Sequence, residues 1–401
     1  MKISKRISAL QESQSLQMAA RCQQLRAEGI DVIGLSLGEP DFAAPDHIKQ
    51  AAKQAIDQDF SHYGPTPGFL SLRKAVADTI NNELQPYNVL PYTPNDIVIS
   101  VGAKQALCNC IQALIDPDDE IIIPTPCWVS YVEMVKLAEG KSVLVKTTMD
   151  NNFCITPEQL QNAITPRTRI LLLCTPNNPT GAVYSHEQLK ALVEVLRQYP
   201  NITILSDEIY ARIQYNGKHE SMGQFPEIQD RLILINGVSK VYAMTGYRIG
   251  WMATHDKALV SACKRLQGQM ITCATTIAQK AAEAAYNGPQ ECVIEMRNAF
   301  HKRRDLIVKL AKQIKGLQFN EPQGAFYLFP DVSEFFGKTN NGQTIRNADD
   351  LTEFLLNEAH VACVSGSAFG EDNCIRLSYA ASEDNIIEAM HRIKQALEKL
   401  N

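Results

Sequence analysis

The stretch LILINGVSKVYAMTGYRIGW, residues 232–251, contains the pattern from which the fold can be read. Leu232 to Asn236 are a short apolar run, the mark of a buried strand. Small residues follow at once, then Ser239 and Lys240, and Arg248 stands eight positions beyond the lysine. A lysine in such a place is either a solvated surface charge or an amine held for chemistry. The rest of the chain decides between the two.

The same arrangement recurs upstream. IVIS (97–100), EIIIP (120–124), RILLLC (169–174) and ITILS (202–206) also read as buried strands. Helix-period segments lie between them. Ala106, Leu107, Cys110, Ile111 and Leu114 share one helical face, and so do Leu189, Leu192, Val193 and Leu196. The second helix has a start signal, Ser185 followed three residues later by Gln188. Strand–helix alternation of this kind predicts an α/β fold: a mostly parallel sheet with helices on both faces. The C-terminal part differs, with long charged helices in AFHKRRDLIVKLAKQI and SEDNIIEAMHRIKQALEKL and strands between them. The expected division is a large domain over 46–289 and a smaller α+β domain built from 1–45 and 290–401.

Composition excludes several classes. The 401 residues are 45% hydrophobic and 21% charged, with a net charge of −5, so no basic footprint for nucleic acid exists. No apolar run approaches the ~18 residues of a membrane span. The N-terminus lacks the apolar stretch and cleavage site of a signal peptide. Eleven cysteines without paired spacing fit reduced thiols and a cytoplasmic protein. No metal-ligand spacing, GxGxxG or P-loop occurs, so no metal is expected.

In open α/β sheets ligands bind beyond the carboxyl ends of the strands, so the residues after each strand matter most. After IVIS, Gly102 permits a turn and a helix is expected from about Ala103, with Lys104 next. Its free N–H groups suit a phosphate, or the segment is a plain strand–helix turn. After EIIIP comes Trp128, which either stacks on a flat ring or fills the core. After RILLLC, the rigid TPNNPTG loop presents Asn178, which either binds a ligand oxygen or shapes the turn. After ITILS come Asp207 and Tyr210, neighbours if the segment is helical. A buried carboxylate there needs a partner, either a protonated heterocyclic nitrogen or an arginine. Arg376, within the strand-like CIRLSYA, needs either a structural salt bridge or a ligand carboxylate.

An anion nest, an indole, an amide, a carboxylate, a phenol, an amine and a guanidinium thus converge on one sheet edge. That inventory matches pyridoxal 5′-phosphate. A lysine forms a Schiff base with its aldehyde, an aspartate keeps its ring nitrogen protonated, and an arginine and a helix end hold its phosphate.

The motifs SLGEPDF, HYGPTPG, PCWVSY, TPNNPTGAVYS, SDEIY, SKVYAMTGYRIGW and IRLSYA resemble the successive signatures of the class I/II aminotransferases, of PLP fold type I. The resemblance is closest to the bacterial aspartate aminotransferases and covers nearly the whole chain. It implies Lys240 as the cofactor-bonding lysine and proton shuttle, and Asp207 as partner of the ring nitrogen. Tyr210 and Asn178 would bond the phenolic oxygen, with Trp128 stacked on the ring. Gly102, Ala103, Lys104, Ser239 and Arg248 would hold the phosphate. Arg376 would take the substrate α-carboxylate, with Gly38, Trp128 and Asn178 beside the substrate. Tyr63 would reach the phosphate of a neighbouring subunit, since the resemblance implies a homodimer. The implied reaction moves an amino group from an L-amino acid to a 2-oxo acid such as 2-oxoglutarate, with ping-pong kinetics.

An aspartate-type donor is favoured. Yet Gln112 occupies the helix face after the phosphate site, and GQMITCATTIAQ contains no arginine. No residue is assigned to a distal carboxylate, and aromatic, alanine or broad donors stay open. A PLP lyase or decarboxylase on the same fold, and a non-catalytic regulator that keeps the cofactor site, are the alternatives from other classes.

Overall fold

Seven strands form the main sheet: β1 (Ile97–Ser100), β2 (Glu120–Thr125), β3 (Lys141–Lys146), β4 (Thr168–Cys174), β5 (Thr203–Asp207), β6 (Leu232–Gly237) and β7 (Gly250–Ala253). The computed structural model, which describes residues 2–401, orders them β1-β7-β6-β5-β4-β2-β3. From β6 to β3 every pairing is parallel, while β7 runs antiparallel to both β6 and β1. The five expected strands are present with ends shifted by one residue at most. Two strands went unread in the sequence. The edge strand β3 mixes exposed and half-buried residues, none of them fully buried, and carries lysine at both ends. The four-residue β7 begins at a glycine directly after the loop that holds Arg248.

Because side chains alternate across a strand, each parallel strand feeds two cores. Leu171, Leu173 and Ile204 pack on one face with Leu72, Leu189 and Ala281 from the covering helices. Ile170, Leu172 and Leu205 pack on the other with Leu107, Ile111 and Cys263. Helix α1 (Gly102–Leu114) supplies Leu107 and Ile111 to that second face. At the helix His186–Leu196 the expected start signal is realised: Ser185 Oγ accepts from Gln188 N, and the Gln188 side chain accepts from Ser185 N at 2.8 Å.

The C-terminal region has its own core. A three-stranded antiparallel sheet places β10 (Ile375–Ser378) between β8 (Tyr327–Leu328) and β9 (Val364–Ser365). Phe300, Phe326, Leu351, Leu377 and Ile393 pack together there with Ile33 and Leu35 from the N-terminal segment. Ile33–Gly34 also pairs in parallel with Val361–Ala362. The 21-residue helix α2 (Glu291–Ala311) enters both cores: Val293 belongs to the main-sheet cluster, and Met296, Phe300 and Ile307 to the C-terminal one.

One close approach fixes α1 against the sheet. A Cβ on Gly250 would collide with the backbone of Gly102 and Ala103, coming within 2.8 Å of Ala103 Cα. Gly250 pairs with Gly237, where an added Cβ would also meet backbone, 2.8 Å from Gly250 Cα. Neither backbone can yield as a flexible side chain would. Gly250→Ala should therefore push α1 away from β7 and destabilise the protein by about 1–3 kcal/mol. Chemical denaturation checks this; an unchanged midpoint would show that the strand and helix tolerate separation.

Candidate active site

The carboxyl ends of β2, β4, β5 and β6 share one edge of the sheet, because their register aligns Cys174 with Asp207 and Asp207 with Ile235. A cavity of about 330 Å³ opens there. It brings together Gly38, Ala103, Lys104, Trp128, Asn178, Asp207, Tyr210, Ser239, Lys240, Arg248 and Arg376, eleven of the expected residues. Gly102 lies just behind the lining, and Tyr63, 87% exposed, stands outside it.

The anion end is built from α1 and the loop before β7. Gly102 has φ +76°, and a Cβ there would come within 2.5 Å of Arg248 Nη2. Arg248, itself left-handed at φ +57°, donates from Nη1 to Thr245 O at 2.9 Å. Its guanidinium is thus set over the start of α1, where backbone N–H groups are free. The helix begins at Gly102, one residue earlier than expected. Lys104 stands at the rim with Nζ 4.8 Å from the centre of the Trp128 ring.

Asp207 is 2% exposed at the end of β5. It accepts from Tyr131 Oη at 2.7 Å and from Ile209 N at 3.2 Å, and no arginine pairs with it. Burial raises its pKa to about 6, against the pull of those two donors. Tyr210 follows in a succession of turns rather than the helix that would have made it a neighbour, with Ala211 N bonded to Glu208 O and Ile213 N to Tyr210 O. Its hydroxyl instead meets Tyr327 Oη at 2.8 Å.

Lys240 Nζ donates to Gly38 O at 2.5 Å. Burial lowers its pKa to about 8; the carboxylate of Glu39 opposes this and the nearby Arg248 and Arg376 add to it. Gly38 cannot be larger, since a Cβ would strike the Tyr327 hydroxyl.

Arg376, 2% exposed in β10, finds no carboxylate. Nη1 donates to Asn178 Oδ1 at 3.0 Å and Nη2 to Ser36 O at 2.6 Å, while Nε has no partner. The guanidinium lies 4.6 Å from the centre of the Tyr327 ring and 4.9 Å from that of Phe369. A buried cation held by neutral groups, with an orphaned N–H, is poised for an external anion.

Sequence reasoning missed Tyr131, Tyr327 and the N-terminal residues Ser13, Ser15 and Leu16, which also line the cavity. A buried tyrosine needs a hydroxyl partner, but the burial of these two and the partners they meet arise only in the tertiary fold. Among the described residues no three His, Cys, Asp or Glu side chains are grouped to hold a metal, and no helix is long and apolar enough to cross a membrane.

Residues 30–393 match the family described as aminotransferase class I and II. The chain belongs to that family. It is 42% identical to the aspartate aminotransferase of Bacillus subtilis, over the full length of both. It is also 42% identical to the aspartate/prephenate aminotransferase of Nitrosomonas europaea, covering 99% of this chain and 100% of that one. The crystal structure of the aspartate aminotransferase from Rhizobium meliloti superposes with a TM-score of 0.95, at 40% identity and 100% coverage of each chain.

Class I and II aminotransferases use pyridoxal 5′-phosphate, and this aminotransferase has side chains that fit it. The cradle of Arg248 and α1 suits a phosphate, and the uncharged partners of Asp207 leave its carboxylate for a ring N–H. Lys240 is an amine that sheds its proton near neutrality. The sign is set by burial: a lysine pKa lowered from 10.5 to about 8 makes the reactive neutral amine abundant above pH 8. In cofactor-free protein, borohydride-trapped capture of a small neutral aldehyde at Lys240 should rise with a midpoint near pH 8, read by peptide mass spectrometry. A midpoint near 10.5 would mean that burial does not tune this amine.

Proposed function

We propose that this aminotransferase moves the amino group of an aspartate-type L-amino acid to 2-oxoglutarate or a similar 2-oxo acid. One observation carries the reading: four cations line the cavity and none has a carboxylate partner. Lys240, Arg248 and Arg376 donate only to backbone carbonyls and an amide, and Lys104 faces the Trp128 ring. Opposing them are buried Asp207 and exposed Glu39. The cavity is therefore suited to several negative charges at once.

The cofactor, when bound, supplies a carbonyl that links to amines and a protonated ring that withdraws electrons from the substrate α-carbon. Arg248, Ser239, Gly102, Ala103 and the other free N–H groups of α1 would hold the phosphate. Asp207, kept in place by Tyr131, would hold the ring N–H. Tyr210 and Asn178 would bond the phenolic oxygen, and Trp128 would stack on the ring. Arg376 binds the α-carboxylate in a planar, two-pronged contact. That contact orients the α-hydrogen toward Lys240, whose Nζ accepts the proton as general base. Lys104, expected at the phosphate, has its Nζ over the Trp128 ring instead, so with Arg248 and Arg376 engaged it is left for a second carboxylate. Prephenate, a dicarboxylic 2-oxo acid, fits the same inventory as an acceptor, and the relative from Nitrosomonas europaea carries it in its name.

The two roles separate kinetically. Removing one partner of a buried charge pair costs about 2–5 kcal/mol, so Arg376→Ala should lower kcat/KM roughly 30- to 5,000-fold for every amino acid. Lys104→Ala should cost about tenfold, and only for dicarboxylic donors and acceptors. A panel of amino donors assayed with 2-oxoglutarate checks both. Equal losses for alanine and aspartate in the Lys104 variant would remove the second-carboxylate role, and a defect of Arg376→Ala confined to one donor would make it a side-chain reader.

The reading extends to assembly. Tyr63 is 87% exposed, on a loop outside its own chain's cavity, which supports its reaching the phosphate of a partner in a homodimer. Residues 1–45 and 290–401 would act as a small domain closing over 46–289, supported by the separate C-terminal core and by Ser13 and Leu16 at the cavity. All eleven cysteines are free, in keeping with a cytoplasmic setting. For the dimer, a Lys240→Ala chain and a Tyr63→Phe chain are unfolded, mixed and refolded. Hybrids regain one intact site, so activity should recover to roughly a quarter of wild type above the Tyr63 variant's residue. Activity equal to the average of the parents would place Tyr63 within its own chain's chemistry or outside it altogether.

A further inference from the structure

A second cavity, of about 270 Å³, lies where the loop after Tyr210 meets the first turns of α2. It shares no lining residue with the catalytic cavity, although the chain passes from one to the other within a single step, from Tyr210 to Ala211. Its walls are uneven in charge. Arg212, Lys218 and Arg297 face one acid, Glu83. Arg212 takes that acid for itself, donating from Nε and Nη2 to Glu83 Oε1 at 3.0 and 2.8 Å. Lys218 is left with the Glu83 backbone carbonyl at 3.1 Å, and Arg297 with Asn298 Oδ1 at 3.3 Å. Two cations therefore border the cavity without a carboxylate.

The second observation is how the loop at the positive end is held. Gln214 is 7% exposed and lines the cavity. Its Nε2 donates to Asn216 O at 2.9 Å and Lys218 O at 3.1 Å, which ties the loop that carries Lys218. Lys218 Nζ lies 5.7 Å from the centre of the Tyr87 ring. The opposite wall is apolar, formed by Leu84, Tyr87, Val293 and Ile294, and Ile294 is 49% exposed. A positive end held beside an apolar wall forms the pattern of a small-molecule site.

We propose that this cavity is a ligand site distinct from the catalytic one, taking a small monocarboxylic acid with an aromatic or apolar body. The carboxylate is met by Lys218 and Arg297, and the body covers Leu84, Val293 and Ile294. The site stands whether or not the donor is of the aspartate type.

The test uses 3-phenylpropanoate as probe with the cofactor-loaded Arg376→Ala protein, whose catalytic cavity has lost its carboxylate binder, so that equilibrium dialysis reports the second cavity. Cofactor absorbance reports that each variant is folded and loaded. In that background one equivalent of probe should bind, and adding Lys218→Ala or Arg297→Ala should each weaken binding about tenfold, as loss of a charged hydrogen bond does. No binding at millimolar probe in the Arg376→Ala protein, or unchanged binding on adding both charge substitutions, overturns the proposal.

Discussion

The parallel register of β2, β4, β5 and β6 is the constraint from which the site follows. Parallel strands need crossover segments that return to the same starting edge, so their carboxyl ends, and the loops that leave them, gather on one side. Asp207 sits on a strand between Cys174 and Ile235, and each neighbour leads directly into a functional loop. Lys240 follows β6 by three residues, and Asn178 follows β4 by four. A slip of one residue would turn Asp207 to the other face and empty the cavity of its only buried carboxylate.

The site is charged beyond what folding alone would favour. Asp207, Lys240 and Arg376 are drawn out of water with hydrogen bonds but no ionic partners, and each has its pKa shifted by burial toward the neutral form. Such an arrangement lowers the stability of the empty protein, because charged groups lose hydration that neutral donors and acceptors only partly replace. Buried charges held only by neutral groups favour a ligand that brings opposite charges. Lys240 illustrates the balance: its single bond to the Gly38 carbonyl fixes the amine in place while leaving its proton easy to lose.

The frame of the fold and the polar groups at its strand ends were legible because they depend on local patterns. Largely apolar segments of four to six residues marked the buried strands, and Ser185 with Gln188 marked a helix start. Lys240, Asp207 and Arg248 could be picked out because each follows a strand directly or lies in a short loop beyond it. Tyr131 and Tyr327 were not legible as site residues. The partner of Tyr131 is 76 positions away and that of Tyr327 is 117, so their roles exist only once the tertiary fold is formed. Edge strand β3 was missed because its three apolar residues, Val143 to Val145, are enclosed by polar residues and lysines and none of the strand is fully buried. The turn at Tyr210 replaced a possible helix because Asp207 still belongs to β5, and the chain must bend before Tyr210 can reach Tyr327.

Helix α2 begins beside the main sheet at Val293 and continues into the C-terminal core through Phe300 and Ile307. At 1.5 Å per residue its 21 residues make a rod of about 31 Å. Anchored at one end and embedded at the other, the rod is a lever whose fulcrum lies near Gln290, which accepts a hydrogen bond from Arg212 at 2.8 Å. A tilt of only ~10° at the fulcrum sweeps the far end through about 5 Å, a length on the scale of one helical turn. A small adjustment among Val293, Gln290 and Arg212 would thereby be geared up into a large displacement of Ala311 and everything packed on it.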